Sequence, residues 1–354
     1  MAAPGLTARA AGPTFRLTSG DLNTAARTTS SAAAVFRYAF GPVTSRRLGR
    51  SLGVNNVPYK ACTYSCVYCQ LGRTLDMGLD RREFYDWRAV VEDVVETLNA
   101  LGGAVDYVTF VPDGEPLLDA RLGSEVRAVR ERTGRPVAVL TNASLLFRED
   151  ARADLAEADL VSLKVDSVDE STWRRVDRPN PRLRLGEVLA GIEEFARSYG
   201  GRLVTETMLV HGMNADPAGL ARTAEFIARL RPYRAYLAVP VRPPAEAFVR
   251  PPGPEELVAA YSAFAERLGE GRVELLNMPE PPPPSAAGGD PAAWLLSVVA
   301  VHPLRLEHAL SSLRGLAERP EDVIADLERR GLVRLVEYGG ARFVTRSFAR
   351  AATA

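Results

Sequence analysis

An α/β fold of repeated β–α units, followed by a small C-terminal domain of helices and a hairpin, is what this sequence predicts. Three observations carry that expectation. Between residues 52 and 270, six short apolar runs alternate with six longer amphipathic patterns. Most of the runs are near-continuously apolar, as strands are when both faces of a parallel sheet are covered. After them, "MPEPPPPSAAGGDP" (278–291) breaks the pattern with prolines and then glycines, which is linker composition. Six such repeats build an α/β barrel or an open α/β sheet, and in both the ligands collect at the carboxyl ends of the strands.

Residues 1–35 are rich in Ala, Thr, Ser and Gly with no sustained period, and a disordered leader is expected there. Strands are expected at 52–58, 105–111, 136–141, 159–165, 202–210 and 234–241, the first being the weakest match. Helices are expected near 86–101, 119–132, 146–157, 185–198, 217–230 and 254–269. In the first of them Val90, Val91, Val94, Val95 and Leu98 recur at helical spacing. The core then spans 36–275 and the linker 276–291. Beyond it, two helices at about 304–317 and 319–331 lead into "LVRLVEYGGARFVTRSF", which reads as two strands around a Gly-Gly turn. Helices followed by a hairpin is the order of a winged helix, so a winged-helix-like module is expected over 292–348, with 349–354 as a tail.

The composition narrows the function classes. Hydrophobic residues are 46% and charged residues 25% of the 354, which is ordinary for a globular protein. No apolar run reaches the length of a transmembrane helix, and a formal net charge of zero favours neither nucleic acid nor an anionic membrane. Nearly every basic residue is arginine; the only lysines are Lys60 and Lys164. A compact ammonium is retained where a planar guanidinium does not serve, and the apolar flanks of Lys164 point to a site role.

All three cysteines lie within eight positions, in "YKACTYSCVYCQ" (59–70). Three cysteines make no disulfide framework, which points to a reducing, cytoplasmic compartment with thiols available as ligands. Three readings compete for the spacing C-x3-C-x2-C. A structural zinc site needs four ligands, and His211, His302 and His308 are all distant in sequence. A redox pair leaves one cysteine unexplained. A cubane iron–sulfur cluster held by three thiolates leaves one iron open to another ligand.

C-x3-C-x2-C directly after the first strand of a repeated β–α domain resembles the radical S-adenosylmethionine (SAM) superfamily, over roughly residues 40–270. Tyr68 precedes the third cysteine, where that superfamily prefers an aromatic. "DGEP" (113–116) closes the second strand where Gly-Gly-Glu-Pro is usual, Asp113 replacing the first glycine. The stretch from Gly41 to Thr74 resembles a subgroup related to wyosine-type tRNA-modifying proteins. The resemblance implies a partial (βα)6 barrel, TIM-like, in which Cys62, Cys66 and Cys69 bind a 4Fe-4S cluster and SAM chelates its open iron. Reductive cleavage of SAM then yields a radical that abstracts hydrogen from a substrate. An electron donor of flavodoxin or ferredoxin type is implied with it.

The resemblance and the period-two pattern together suggest site roles. Tyr68 is expected near the adenine, Gly114 to allow close backbone approach, and Glu115 to hold the strand-end turn or the SAM ammonium. Thr141 and Asn142 end the third strand, in reach of ribose hydroxyls, with turn capping as the alternative. Ser162, Lys164 and Asp166 alternate along the fourth strand and so share one face, which should point into the lumen. Ser162 is expected to help bind cofactor, and Lys164, Asp166 and Glu206 to be catalytic; a buried Lys164–Asp166 or Lys164–Glu206 ion pair is the alternative. Met208 and His211 are weaker candidates. Arg46, Arg47 and Arg50 form a basic group suited to a phosphate or carboxylate, or else a solvated turn.

No fourth cysteine is present for the second cluster that wyosine-forming relatives carry, so a single-cluster enzyme is expected. In the C-terminal module the helix that would read DNA carries Glu321, Asp322, Asp326 and Glu328, which repel phosphates. A peptide- or protein-docking role, or a lid on the barrel, is expected there; RNA remains a possible partner and DNA is disfavoured. The competing function class is a zinc- or cluster-bearing regulatory protein acting through the module. An RNA-modifying radical SAM enzyme is a further alternative.

Overall fold

In the computed structural model the described residues are 38–278, 281–283 and 289–347. The expected leader, the whole of the expected tail and part of the linker lie outside them.

Eight strands form one sheet in chain order: β1 (Ala39–Ser45), β2 (Gly49–Val54), β3 (Tyr107–Phe110), β4 (Val137–Thr141), β5 (Leu160–Lys164), β6 (Arg202–Met208), β7 (Arg234–Ala238) and β8 (Val273–Leu276). From β2 to β8 every pairing is parallel, and β1 runs antiparallel to β2. The crossovers carry α1 (Trp87–Ala100), α2 (Leu122–Thr133), α3 (Glu149–Leu155), α4 (Glu170–Val176), α5 (Leu185–Ser198), α6 (Pro217–Arg229) and α7 (Pro254–Leu268). Val90, Val91, Val94 and Leu98 of α1 are buried, as their spacing requires. Each such side chain contributes about 1.5–3 kcal/mol on leaving water.

Alternation along the strands divides the interior. Leu52, Val54, Val108, Phe110, Val137, Val139, Val161, Leu163 and Leu237 pack outward in the cluster that holds the helices. The opposite face carries Ala138, Leu160, Val204, Tyr236, Ala238 and Leu276, which share a second cluster with Leu48 from the β1–β2 turn. Five adjacent strands laid flat would span about 19 Å. Their gathering around Leu48 curls the sheet into a half-barrel whose amino end is plugged by that turn.

The six expected strands correspond to β2–β7, and two edge strands extend the sheet. In β1, "AFGPVTS", Gly41 and Pro42 break the alternation and the ladder shifts register between Phe40 and Val43. Proline is tolerated there because the strand is an edge. β8 has only four residues. The seven-residue α4 is too short for a clear helical period.

Beyond the linker come α8 (Pro291–Val301), β9 (Leu304–Arg305), α9 (Leu306–Leu313), α10 (Pro320–Arg329), β10 (Val333–Tyr338) and β11 (Ala341–Arg346). The three strands pair antiparallel in the order β10-β11-β9. The Gly-Gly turn is formed by Gly339 and Gly340, both at positive φ (56° and 74°), as a tight hairpin turn demands. α8 was not expected as a helix: "PAAWLLSVVAV" is apolar on all sides and has no amphipathic period. The fold supplies the reason, since α8 is central to the module's core and contacts β1.

Candidate functional site

The chain leaves β2 at Val54 and crosses the carboxyl end of the sheet as the cysteine loop. That loop is held from two sides. Lys60 N–H donates to the Asp113 carbonyl at 2.9 Å, and Glu115 N–H donates to the Ala61 carbonyl at 3.0 Å. Gly114 lies between them, and a Cβ there would sit 1.8 Å from the Ala61 oxygen. On the far side Val67 N–H donates to Val176 O at 2.9 Å, Ser65 N–H to Asp177 O at 3.0 Å, and Asn180 N–H to Thr63 O at 2.8 Å. The arginine-rich stretch 174–184 thus serves the site through its backbone.

The three thiols are free and half-buried. Lys60, 2% exposed and at a left-handed φ of 58°, aims its ammonium at Cys69 Sγ, 3.1 Å away. Burial acts to lower its pKa, but Cys69, Cys62 and Cys66 together hold it above the ordinary lysine value. Cys66 Sγ donates to Asp177 Oδ1 at 3.4 Å, and Asn142 Nδ2 lies 3.6 Å from Cys62 Sγ. Burial, then the Glu115 carboxylate, pushes the Cys62 thiol up to about 12. Burial, then Asp177, raises Cys66 well above the usual range. Cys62 also feels Cys69, and Cys66 feels both other cysteines. Among the described residues no three His, Cys, Asp or Glu side chains approach closely enough to share a single metal ion. Three mutually interacting thiols on one loop, with an ammonium set to offset thiolate charge, are chemically suited to a larger polynuclear group.

Glu115 is fully engaged within the protein. Its Oε1 accepts from Thr141 Oγ1 (2.5 Å) and Leu117 N–H (3.0 Å), and its Oε2 accepts from Asn142 N–H (2.8 Å). It ties the end of β3 to the end of β4. Thr141 also accepts from Ala143 N–H, and Asn142 donates to Thr63 Oγ1 at 2.8 Å. Of the roles expected for Glu115 and Thr141, these bonds correspond to turn-holding and capping.

Ser162, Lys164 and Glu206 share the lumen face, with Lys164 and Glu206 directly opposed in the β5–β6 ladder. Lys164 Nζ lies 2.8 Å from Glu206 Oε1, 4.0 Å from Asp166, and 4.9 Å from the centroid of the Tyr68 ring. The ion pair weighed as the alternative is present. Glu206 Oε2 accepts from Arg47 as well, so two cations meet on one carboxylate. Tyr68 donates its hydroxyl to Asp166 and stands 3.1 Å from Asp177 Oδ1. Asp166 also accepts from Met208 N–H at 2.7 Å. Burial and the neighbouring Asp166 push the Asp177 carboxyl well up. His211 is exposed and pairs with Glu256, away from the lumen. Ser162 is buried beside Leu140 and Tyr236, below this polar layer.

Asp177, Arg242 and Gln70 belong to the site and were not expected. Asp177 is the lone acid among the five arginines of 174–184, so composition there gives no sign of a site carboxylate.

The C-terminal module stands on the same end of the barrel. Gln70 Nε2 donates to Val301 O at 2.9 Å, Tyr338 Oη to Pro240 O at 3.0 Å, and Arg346 lies 4.0 Å from Asp113. These contacts span loops that follow β2, β3 and β7. Arg242 donates to Gln70 Oε1 at 2.6 Å and reaches His302 Nε2 at 2.9 Å. A guanidinium has no lone pair to offer, so His302 accepts through Nε2 and is neutral. Burial, then the charges of Arg242 and His308, lowers the His302 pKa well below 6.5. The fold favours the neutral ring, so its contribution to stability is full above pH 6.5 and falls as the pH drops below that value. Urea midpoints measured from about pH 7.5 down to about pH 5 are expected to decline, and less steeply in His302→Gln, which keeps an acceptor. Equal slopes in both proteins would show that His302 is not the titrating group.

A wide cleft of about 990 Å³ also exists, lined by Arg197, Arg202, Arg229 and Tyr233. It lies at the amino ends of β6 and β7, the wrong end for chemistry at the cysteine loop.

The Radical SAM superfamily profile matches residues 56–224, from just before Cys62 into α6. UPF0026 protein MJ1312 of Methanocaldococcus jannaschii is 40% identical over 306 residues, which are 86% of this chain and 94% of that protein. The chain is a radical SAM enzyme of the UPF0026 family. A second UPF0026 protein, slr1464 of Synechocystis sp., is 32% identical over 59% of this chain and 77% of its own length. Among solved structures, TYW1 with a lysine-pyruvate adduct bound aligns at 16% identity and a TM-score of 0.46, covering 61% of this chain and 73% of that one. As a radical SAM enzyme the protein works with a reductant and a substrate. No helix among the described residues is long and apolar enough to cross a membrane.

Proposed function

We propose that this radical SAM enzyme carries a 4Fe-4S cluster on Cys62, Cys66 and Cys69, binds SAM at the carboxyl ends of β3 to β6, and removes a hydrogen atom from a substrate held in the lumen. One observation carries the reading: three thiols on one buried loop, tethered to Gly114 and Glu115, with the Lys60 ammonium 3.1 Å from Cys69. When bound, the two cofactors supply one-electron cleavage of a sulfonium and the hydrogen-abstracting species.

The chain's own groups orient and enclose. Glu115 fixes the β3 and β4 ends, so that Thr141 and Asn142 present a rigid rim to the nucleoside. Gly114 lets the cysteine loop approach the β3 end closely. Tyr68, between Lys164 and the Asp166–Asp177 pair, forms the wall nearest Cys69. Lys164 meets the SAM carboxylate or a substrate anion, and Glu206 faces the substrate beside it, with Asp166 holding Lys164 in place and Ser162 forming the polar floor. The module caps the mouth as a fixed lid; its element order fits a winged-helix-like fold, and the acids of α10 oppose a DNA role. The electron donor is a flavodoxin- or ferredoxin-type protein of the cytoplasm.

Anaerobic reconstitution tests the reading. About four irons and four sulfides per chain are expected, with 5′-deoxyadenosine formed on adding SAM and dithionite. One zinc and no nucleoside would favour a regulatory protein instead. Lys60→Met should lower the midpoint potential of the reconstituted protein. A charge-assisted hydrogen bond is worth about 1.5–3 kcal/mol, and about 60 mV corresponds to each 1.4 kcal/mol in a one-electron couple. An unmoved potential would reduce Lys60 to a packing role.

A further inference from the structure

A cavity of about 90 Å³ opens beside Tyr68 and is walled by Arg46, Arg47, Gln70, Glu206 and Arg242. Its lining includes three guanidiniums and one carboxylate, and that carboxylate, Glu206, is already shared by Lys164 and Arg47. The three arginines come from opposite edges of the half-barrel: two from the β1–β2 turn and one from the segment after β7. They are close enough to act on one another. Burial, then Arg46 and Arg47, pushes Arg242 down to about 9, and burial again brings Arg47 down to about 10. Arg46 donates to the Met278 carbonyl at 2.5 Å, while its buried Nε has no acceptor among the described residues. Like charges gathered out of water are costly unless an anion joins them, and guanidinium forks match the two oxygens of a phosphate or carboxylate. The volume is well below that of a whole-ligand pocket, roughly 300–1,000 Å³, so it suits one end of a molecule.

We infer that this cavity holds an oxyanion group of the substrate, a phosphate or a carboxylate, between Arg46, Arg47 and Arg242. The inference rests on placing the reaction at the carboxyl ends of the strands. It also gives the C-terminal module a task, because His302 orients Arg242 and Val301 accepts from Gln70. An anion seated there would lie beside Tyr68 and Gln70, the residues on either side of Cys69. The rest of the molecule would then extend toward the cysteine loop.

Calorimetric titration of the full chain with inorganic phosphate and with acetate, with and without saturating SAM, tests this. Saturable binding of at least one anion is expected, unaffected by SAM. Arg46→Gln and Arg242→Gln should each weaken it by about tenfold or more, and Arg46→Lys should retain most of it. Tighter phosphate marks a phosphorylated substrate, and tighter acetate a carboxylic acid. Binding of neither anion, equal binding in both glutamine variants, or displacement by SAM overturns the inference, the last by making the cavity part of the SAM site. SAM affinity measured on the same samples separates the two claims. Anion binding retained by a protein that binds no SAM would support the cavity and sink the proposed function.

Discussion

Anaerobically reconstituted Cys66→Ala protein is expected to retain less than half the iron of its parent and to form no detectable 5′-deoxyadenosine. With three cysteines in the whole sequence, no other thiol can replace it. Cys66 is wedged between backbone pairings to Val176 and Asp177 on one side and Tyr68 on the other, which fixes where its sulfur points. Its hydrogen bond to Asp177 raises a second issue, since alanine removes that contact as well as the ligand. Cys66→Ser separates the two effects. A hydroxyl still donates to Asp177, so the serine protein should melt within about 2 °C of the parent while losing iron as the alanine protein does. Full iron retention in both would remove Cys66 from the ligand set. Loss of iron in step with loss of folding in both would assign it to structure instead.

Gly114→Ala should be the most damaging change that touches no ligand. The new methyl would stand 1.8 Å from the Ala61 oxygen, 2.7 Å from the Ala61 carbonyl carbon and 3.1 Å from Val57 Cγ2. Two of those atoms are backbone, so no rotamer change relieves the clash. The loop must move, and the Glu115–Ala61 hydrogen bond goes with it. Overpacking costs about 1–3 kcal/mol and an unsatisfied buried group about as much again. A melting point lower by roughly 5–10 °C is expected, with iron loading reduced because Cys62 follows Ala61 directly. Gly186→Ala in α5 is the control: nothing lies within 4 Å of its Cβ position, and alanine should be neutral or stabilising by up to about 1 kcal/mol. A Gly114→Ala protein that melts and loads like the parent would mean the β3 turn does not clamp the loop.

Local pattern made much of this site readable. The period-two run placed Ser162 and Lys164 on one strand face, and Glu206 faced them because the neighbouring strand has the same period; Asp166, expected on that face, lies two residues past the end of β5. "DGEP" sits at the end of a strand that near-continuous apolarity revealed, while the strand before the cysteine spacing, "LGVNNVP", carried the weakest signal of the six. What escaped were contacts made across the barrel and between the barrel and the C-terminal module. Arg47 meets Glu206 across 159 positions of sequence, and Arg242 meets His302 across 60. No periodicity carries such pairings; they exist only once the chain has folded. The edge strands escaped for a different reason. β1 is interrupted by Gly41-Pro42 and β8 is four residues long, so neither shows alternation. α8 escaped because apolar residues on all sides erase the amphipathic signal that identifies a helix.

The scarcity of lysine gives the folded site its own gauge. Lys60 is 2% exposed, and the Lys164 side chain 18%. An endoprotease that cuts only after lysine therefore has two target bonds in the entire polypeptide, Lys60–Ala61 and Lys164–Val165. Both are in the loop and strand that build the reaction chamber. Nicking by such a protease would time the opening of that chamber alone, with no fluorophore and no engineered marker.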